Sequence, residues 1–349
     1  MCWSFLFLRG LMERVYRDDG VSVNKVKEFL ELHHLRLEDH DELYVLKENN
    51  KIVASGAIKG NVLKCIAVEK SDNNHINTVM SYLVNRTYEL GCKNVFIYTK
   101  PETYKSFEYL GFKKIASAEN VVLMENAISG FEDYLNKLEN KDFGGIVGSV
   151  VVNCNPFTLG HRHLIEYASK NCDLLHIFVV WEDESTFPND IRYQLIEQGI
   201  SHIGNVILHK GKDYIISNAT FPSYFLKQDV DITREQIELD LNIFKIIANR
   251  LDIKKRFVGQ EPLNPVTGEY NRLMKTVLSD VAIDVVEIPR ITTTNGVISA
   301  SAVRMLLVQG KFNDLRDYVP SSTYDFLVSK EAEPIIYRLR KTFNANDLV

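Results

Sequence analysis

The segment from Asn153 to His161 carries side chains suited to binding phosphate. It reads Asn-Cys-Asn-Pro-Phe-Thr-Leu-Gly-His and follows a continuous apolar run, residues 146–152, typical of a strand buried in a parallel sheet. A tight turn after such a strand directs the next helix N-terminus, with its exposed N–H groups and its dipole, at a bound anion. Gly160 would let the backbone approach closely, while Thr158 and His161 offer hydrogen-bond donors to charge developing on phosphate.

A second candidate for phosphate binding lies near the C-terminal end, in Ile298-Ser299-Ala300-Ser301-Ala302-Val303-Arg304. Ser299 and Ser301 are typical N-cap residues, and an apolar helix pattern follows them. Their hydroxyls and the free N–H groups of the first turn can hold phosphate oxygens. Arg304, one turn further on, would add a charge-assisted fork to the same oxygens. This pattern alone is a common helix start. The presence of the first segment favours the interpretation that it binds phosphate.

Three segments between these two are less specific. Phe187-Pro188 with Arg192 follows the second apolar strand pattern, and Val258-Gly259-Gln260-Glu261-Pro262 follows a later one, where open α/β sheets bind ligands. Residues 210–214 and 221–225 offer charged and aromatic groups in a loop. Each segment is equally compatible with ordinary loop chemistry.

Composition and charge exclude several classes of function. The chain has 349 residues and a formal net charge of −5, so no basic surplus indicates a nucleic-acid partner. Its five cysteines are scattered, which argues against a disulfide framework and a cysteine zinc site and favours the cytoplasm. No apolar run reaches the roughly 18 residues of a membrane helix. We expect the apolar residues 2–8 to form an edge strand or a frayed terminus rather than a signal peptide.

Hydrophobic periodicity predicts two domains of different architecture. Residues 146–349 show apolar strand patterns separated by helical segments, as in a doubly wound parallel sheet. In residues 1–125 a helix is followed by three strands, a helix, a strand, a helix and two strands. Residues 126–145 form a linker.

The order of elements in the first domain resembles the GNAT acetyltransferase fold, and Tyr109-Leu110-Gly111-Phe112 is similar to its usual helix-to-strand ending. The resemblance implies a Gly-rich loop for acetyl-CoA pyrophosphate after residues 65–68, but this chain has Glu69-Lys70-Ser71-Asp72-Asn73-Asn74-His75 there. Phe107 stands where many members carry a tyrosine general acid. We therefore predict a GNAT-like α+β domain used for packing or docking rather than catalysis.

The second domain resembles the nucleotidyltransferase superfamily, whose signatures N-P-x-x-x-G-H, T-x-G-H and I-S-S-T-x-I-R are similar to the two segments described first. The resemblance predicts a set of catalytic residues: Thr158, His161, Ser299, Ser301 and Arg304. Nucleotide-binding residues are also predicted: Asn155, Pro156, Phe157, Gly160, Arg192 and Ile298 from the resemblance, and Gly259 and Glu261 from their place after a later strand. His163 is expected to be a helix-surface residue.

Nearly the whole chain resembles the citrate lyase ligases, on both domains and on two further stretches, residues 219–227 and 292–301. The resemblance implies an acid-thiol ligase that converts acetate to acetyl-AMP with ATP, Mg²⁺ being bound with the ATP. The acetyl group then passes to the thiol of a CoA-like prosthetic group on the citrate lyase acyl-carrier subunit, and AMP and pyrophosphate are released. No membrane partner and no metal site formed by the protein are predicted.

Two other interpretations remain open. An adenylyltransferase of the pantetheine-phosphate type would share both phosphate motifs without requiring acetate. A non-catalytic protein that binds an acyl carrier would use the GNAT-like domain, although the intact phosphate motifs favour an enzyme.

Overall fold

The structure of the chain is a computed structural model. It describes residues 12–69, 74–139, 144–181, 185–215, 221–226, 231–260, 265–293 and 296–346, so the apolar residues 2–8 lie outside the described part. The chain divides into two compact units. One consists of residues 1–137 and 220–242, and the other of residues 138–219 and 243–349.

The first unit is built on a mixed sheet. Its strands are β1 (Met12–Val15), β2 (Glu42–Glu48), β3 (Lys51–Lys59), β4 (Val62–Val68), β5 (Asn94–Thr99), β6 (Lys113–Ser117) and β7 (Val122–Ala127). Their spatial order is β1-β2-β3-β4-β5-β7-β6, with antiparallel neighbours except for the parallel pair β4 and β5. The helices are α1 (Gly20–Leu32), α2 (Asn74–Glu89), α3 (Tyr104–Glu108) and α4 (Phe131–Lys137). This arrangement confirms the predicted GNAT-like α+β architecture.

The strands β4 and β5 pair over a short length. Their parallel register covers Val62 with Phe96 and Leu63 with Ile97, and no pairing continues in the described residues beyond it. Residues 221–226, which follow the second unit's third strand in sequence, pack on this unit. The ring of Phe221 meets that of Tyr98 on β5, with the centroids 5.5 Å apart. Phe221 thus contributes its ring to the packing of the first unit.

Hydrogen bonds anchor the same segment to the chain just before β2. The Glu38 carboxylate accepts from both the main-chain N–H and the hydroxyl of Ser223, each over 2.9 Å. The main-chain N–H of Arg36 donates to the Tyr224 carbonyl, and the Tyr224 side chain is buried. Lys64 on β4 forms an ion pair of 2.7 Å with the other oxygen of Glu38. Residues 221–226 are therefore an integral part of the first unit.

The second unit is built on a parallel sheet. Its strands are β8 (Val147–Val152), β9 (Leu174–Val179), β10 (Val206–Lys210), β11 (Ile253–Gly259) and β12 (Asp284–Ile288). A short hairpin, β13 (Thr292–Thr293) and β14 (Gly296–Val297), follows them. The helices are α5 (Leu159–Lys170), α6 (Asn189–Gly199), α7 (Ile232–Arg250), α8 (Pro265–Ser279), α9 (Ala300–Gln309), α10 (Ser321–Leu327) and α11 (Glu333–Asn346). The division between the two units falls within α7, between Asn242 and Ile243.

The strand order β10-β9-β8-β11-β12 creates a switch point in the second unit. The chain starts at the central strand β8, adds β9 and β10 on one side, and then adds β11 and β12 on the other. Every residue of β9 is buried, as expected of a strand covered on both faces. At such a switch point the chain leaves neighbouring strands in opposite directions, which opens a crevice outside their carboxyl ends. The doubly wound α/β fold predicted for this part is confirmed.

The domain boundaries predicted from the sequence stay a prediction. The structure groups residues 220–242 with the first unit, whereas the predicted second domain, residues 146–349, contains them. Across the described ranges, no helix combines the length and the apolar character needed to cross a membrane.

Candidate functional site

The turn after β8 brings Thr158 to the N-cap of α5. The Thr158 hydroxyl accepts from the main-chain N–H of His161 over 3.3 Å, and His161 Nδ1 accepts from the main-chain N–H of Thr158 over 3.1 Å. The two residues therefore cap the helix reciprocally. Because Nδ1 acts as an acceptor, the neutral ring carries its proton on Nε2. Among the described residues Nε2 has no hydrogen-bond partner, so this donor is available to a ligand.

The His161 imidazole stays uncharged over the physiological pH range. Burial and the positive charge of Arg290 both disfavour protonation and lower the pKa of His161 to about 4. The ring is thus a neutral donor at a helix N-terminus. This is the form that can stabilise an oxyanion without a change in its own protonation state.

Packing beneath His161 fixes its ring. The Phe157 ring is fully buried and stacks on the imidazole, with the centroids 6.0 Å apart and the planes 16° apart. Gly199, at the end of α6, leaves room for Phe157, because a Cβ atom at Gly199 would clash with its ring. Pro156, which precedes Phe157, is also buried. Pro156 and Phe157, predicted to bind nucleotide, therefore lie under the helix start rather than on its surface.

The second predicted segment forms another capped helix start. Ser299 is the N-cap of α9, and its hydroxyl accepts from the main-chain N–H of Ala302 over 3.1 Å. The Ile298 side chain is buried, whereas that of Ser301 is exposed in the first turn. The N–H groups of this turn and the Ser301 hydroxyl are the ligand-binding groups that the sequence predicts.

Two contacts bring the two segments together. Arg304 Nη1 donates to the main-chain carbonyl of Asn155 over 2.5 Å, and its Nη2 donates to the Ser301 hydroxyl over 3.1 Å. A Cβ atom at Gly160 would lie 3.2 Å from the Ile298 carbonyl oxygen, so a residue without a side chain lets the two helix starts approach closely. Both positive helix ends therefore lie beside the carboxyl end of β8.

Arg192 lies in the interior instead of on a ligand-binding surface. Its side chain is fully buried, Nε donates to the Phe187 carbonyl over 3.0 Å, and Nη1 donates to the carbonyls of Asn153 and Val180. These acceptors follow the carboxyl ends of β8 and β9. The predicted direct contact of Arg192 with nucleotide does not fit this burial. Its geometry is that of a residue that holds the loops at the sheet edge in place.

The end of β11 supplies the other predicted segment. The side-chain amide of Asn271 on α8 donates to the Gly259 carbonyl over 3.1 Å, and Asn271 is buried. A Cβ atom at Gly259 would meet no described residue within 4 Å. Glu261, also predicted to bind nucleotide, lies outside the described residues.

Arg290 is a candidate that the motifs did not indicate. It follows β12 by two residues, and its Nε donates to the Gln260 carbonyl over 2.8 Å. Its charge acts on the His161 imidazole. The signal that could have identified it is its position, because ligands of open parallel sheets bind at the carboxyl ends of the strands.

The donor groups of this arrangement suit a polyphosphate. Two helix N-termini, hydroxyls, a neutral imidazole and an arginine are ligands for anionic oxygen. Within the described ranges no group of three or more His, Cys, Asp or Glu side chains could hold a metal ion. Mg²⁺ commonly binds through substrate phosphates and few protein carboxylates, so this donor set is compatible with Mg²⁺ that arrives with a nucleotide.

The family model of the citrate lyase ligase C-terminal domain matches residues 147–327. This span starts with β8 and ends with α10, so it contains both capped helix starts and Arg290.

Curated relatives match over most of their own length. The citrate (pro-3S)-lyase ligase of Haemophilus influenzae is 41% identical over 314 residues, which cover 86% of this chain and 94% of that protein. The citrate (pro-3S)-lyase ligase of Klebsiella pneumoniae is 42% identical over 313 residues, covering 87% of this chain and 92% of that protein. Among solved structures, a bifunctional NMN adenylyltransferase/ADP ribose pyrophosphatase from Francisella tularensis is 17% identical, covers 58% of this chain and 54% of that chain, and has a TM-score of 0.39. Structural likeness at that level is too low to argue from.

Proposed function

The chain belongs to the citrate lyase ligase family, and we propose that it is an ATP-dependent ligase that acetylates the acyl-carrier subunit of citrate lyase. One observation carries the chemical part of the proposal. Two capped helix N-termini, joined by the hydrogen bond between Arg304 and the Asn155 carbonyl, lie beside the carboxyl end of one parallel strand. That geometry supports binding of a nucleoside triphosphate.

In the first half-reaction an acetate oxygen attacks the α-phosphorus of ATP, and the bond from that phosphorus to the bridging oxygen of pyrophosphate breaks. The products are acetyl-AMP and pyrophosphate. Negative charge moves onto the leaving group. Nε2–H of His161, the first-turn N–H groups of α9 and the guanidinium of Arg304 can stabilise that charge by donating hydrogen bonds to the phosphate oxygens. Positioning and electrostatics suffice for such a transfer.

In the second half-reaction the thiol of the carrier's CoA-like prosthetic group attacks the carbonyl carbon of acetyl-AMP. The thiol loses its proton to solvent, the carbon–oxygen bond to AMP breaks, and a thioester and AMP result. Bound Mg²⁺ would neutralise phosphate charge. Gly160 and Thr158 keep the first helix start open and capped, while Phe157 holds the imidazole from below.

The test is pyrophosphate release from ATP with acetate, with and without deacetylated citrate lyase. We expect pyrophosphate release to require acetate. Sustained turnover, with AMP formed in an amount equal to pyrophosphate, is expected only when the lyase is present. A transferase of the pantetheine-phosphate type would release pyrophosphate without acetate when given a phosphorylated acceptor. A protein that only binds an acyl carrier would release none.

A further inference from the structure

We propose that Arg290 is a further binding residue for the polyphosphate of the nucleotide, acting on the same anion as His161 and Arg304. The inference rests on the proposed function and deepens it. Arg290 lies outside both helix motifs, two residues after the edge strand β12.

Hydrogen bonds fix Arg290 at the carboxyl edge of the sheet. Gln260, the residue after β11, donates its main-chain N–H to the Ile288 carbonyl over 2.9 Å. The Gln260 carbonyl in turn accepts from Nε of Arg290 over 2.8 Å. The ends of β11 and β12 are thereby joined, and the side chain of Arg290 is held along this edge. An arginine anchored through Nε is preorganised, so less rotamer entropy is lost when it binds a ligand.

The chain that follows Arg290 leads directly to the two helix starts. The carbonyl of Ile291 accepts from the main-chain N–H of Ile298 over 3.3 Å, which closes the hairpin before α9. The carbonyl of Ile298 faces Gly160 in the first turn of α5. Two steps of contact therefore connect Arg290 to the turn that carries His161.

Electrostatics agree with this placement. The positive charge of Arg290 disfavours a second positive charge on His161 and, after burial, lowers the pKa of its imidazole. Two guanidinium groups and a neutral imidazole would therefore complement an anion with several charged oxygens, such as a triphosphate or pyrophosphate.

The experiment compares Arg290→Gln with a matched control, Arg340→Gln. Arg340 also lies in the second unit and also donates to a main-chain carbonyl, that of Leu307, but this carbonyl is near the C-terminal end of α9. Binding of ATP and of pyrophosphate is measured by calorimetry on the full chain. We expect Arg290→Gln to raise both dissociation constants about tenfold or more, because it removes a charge-assisted contact, and Arg340→Gln to leave them within about twofold.

A spectroscopic readout separates a charge effect from a structural one. The pKa of His161 is followed from its imidazole proton signals by NMR, assigned with His161→Ala. Removing the charge of Arg290 should raise the pKa of His161, whereas a residue that merely supports the fold would leave it unchanged. If Arg290→Gln does not fold, Arg290→Lys is used instead. Pyrophosphate binding should then weaken about threefold or more, because an ammonium cannot form the two parallel hydrogen bonds of a guanidinium.

The outcomes distinguish this inference from the proposed function. Wild-type binding of ATP and pyrophosphate, with Arg290→Gln or Arg290→Lys binding equally well, would refute the role of Arg290 alone. Equal weakening by Arg290→Gln and Arg340→Gln would refute it too. A wild-type chain that binds neither ligand would overturn the proposed function, and this inference with it.

Discussion

The guanidinium of Arg304 donates a hydrogen bond to the main-chain carbonyl of Asn155, although 149 positions separate the two residues in the chain. The bond connects the helix start that follows β8 with the helix start of α9. Because its Nη2 also holds the Ser301 hydroxyl, Arg304 orients both segments before any ligand binds. Such preorganisation reduces the entropy lost on binding.

Replacing Arg304 by Lys should weaken ATP use far more than the conserved charge suggests. An ammonium is a point charge and cannot bond Asn155 and Ser301 in parallel as the guanidinium does. We expect KM for ATP to rise about tenfold or more, with KM for acetate little changed. A variant that keeps its ATP dependence and loses acetate affinity would place Arg304 in the carboxylate site.

Replacing His161 by Ala should cut turnover by about 100- to 1000-fold while the fold is retained, because one donor to developing phosphate charge is lost. His163→Ala, two residues along the same helix, is the matched control and should retain nearly full activity. Steady-state pyrophosphate release measures both variants. A loss below about threefold for His161→Ala would show that the site is assigned wrongly.

Replacing Gly199 by Ala should destabilise the second unit and lower activity together. The added Cβ would clash with the buried ring of Phe157, which supports His161. Overpacking of this kind costs about 1–3 kcal/mol of unfolding free energy. Gly204→Ala is the control, since a Cβ there would meet no described residue within 4 Å. Urea unfolding and pyrophosphate release are the measurements, and equal stability of the two variants would contradict the packing argument.

Acidification should destabilise the fold through a buried histidine pair. His176 on β9 and His209 on β10 lie 2.8 Å apart, Nδ1 to Nε2, and burial lowers the pKa of each to about 4. The unfolded chain, with histidine pKa values near 6.5, therefore binds more protons between about pH 6.5 and 4. Unfolding free energy is fully retained above pH 6.5 and should fall as the pH drops through this range.

The slope of that fall is at most about 1.4 kcal/mol per pH unit for each histidine that stays neutral in the folded chain. Urea unfolding between pH 4 and 8 measures it. His176→Gln should flatten the profile, and an unchanged slope in this variant would assign the acid sensitivity to other groups.

The first unit should not transfer acetyl groups from acetyl-CoA. Phe107, in the position expected for a tyrosine acid, packs on Phe112 with ring centroids 6.4 Å apart. Residues 221–226 occupy the region beside β5 where its pairing with β4 ends. Micromolar acetyl-CoA binding by calorimetry, with CoA released when amines are added, would be the contrary result.

The sequence by itself determined the elements and the chemistry of the two helix starts. Thr158 and Ser299 cap the helices as their residue types predict, because capping depends on neighbours within one turn. The apolar runs predicted the parallel strands because burial on both faces leaves a local signature. Local physics therefore sufficed for the fold class and for His161 as a candidate.

Only the tertiary structure decided which of these residues meet. Arg192 belongs to a segment that the sequence predicts to bind nucleotide, yet its side chain is buried and donates to main-chain carbonyls. The sequence does not predict this burial, because the exposure of a side chain depends on the packing of distant segments. Residues 221–226 belong to the first unit, and the charge of Arg290 acts on His161, although no periodicity in the sequence predicts either relationship. Long-range contacts of this kind are set by sheet order and side-chain packing, neither of which is encoded in a local pattern of residues.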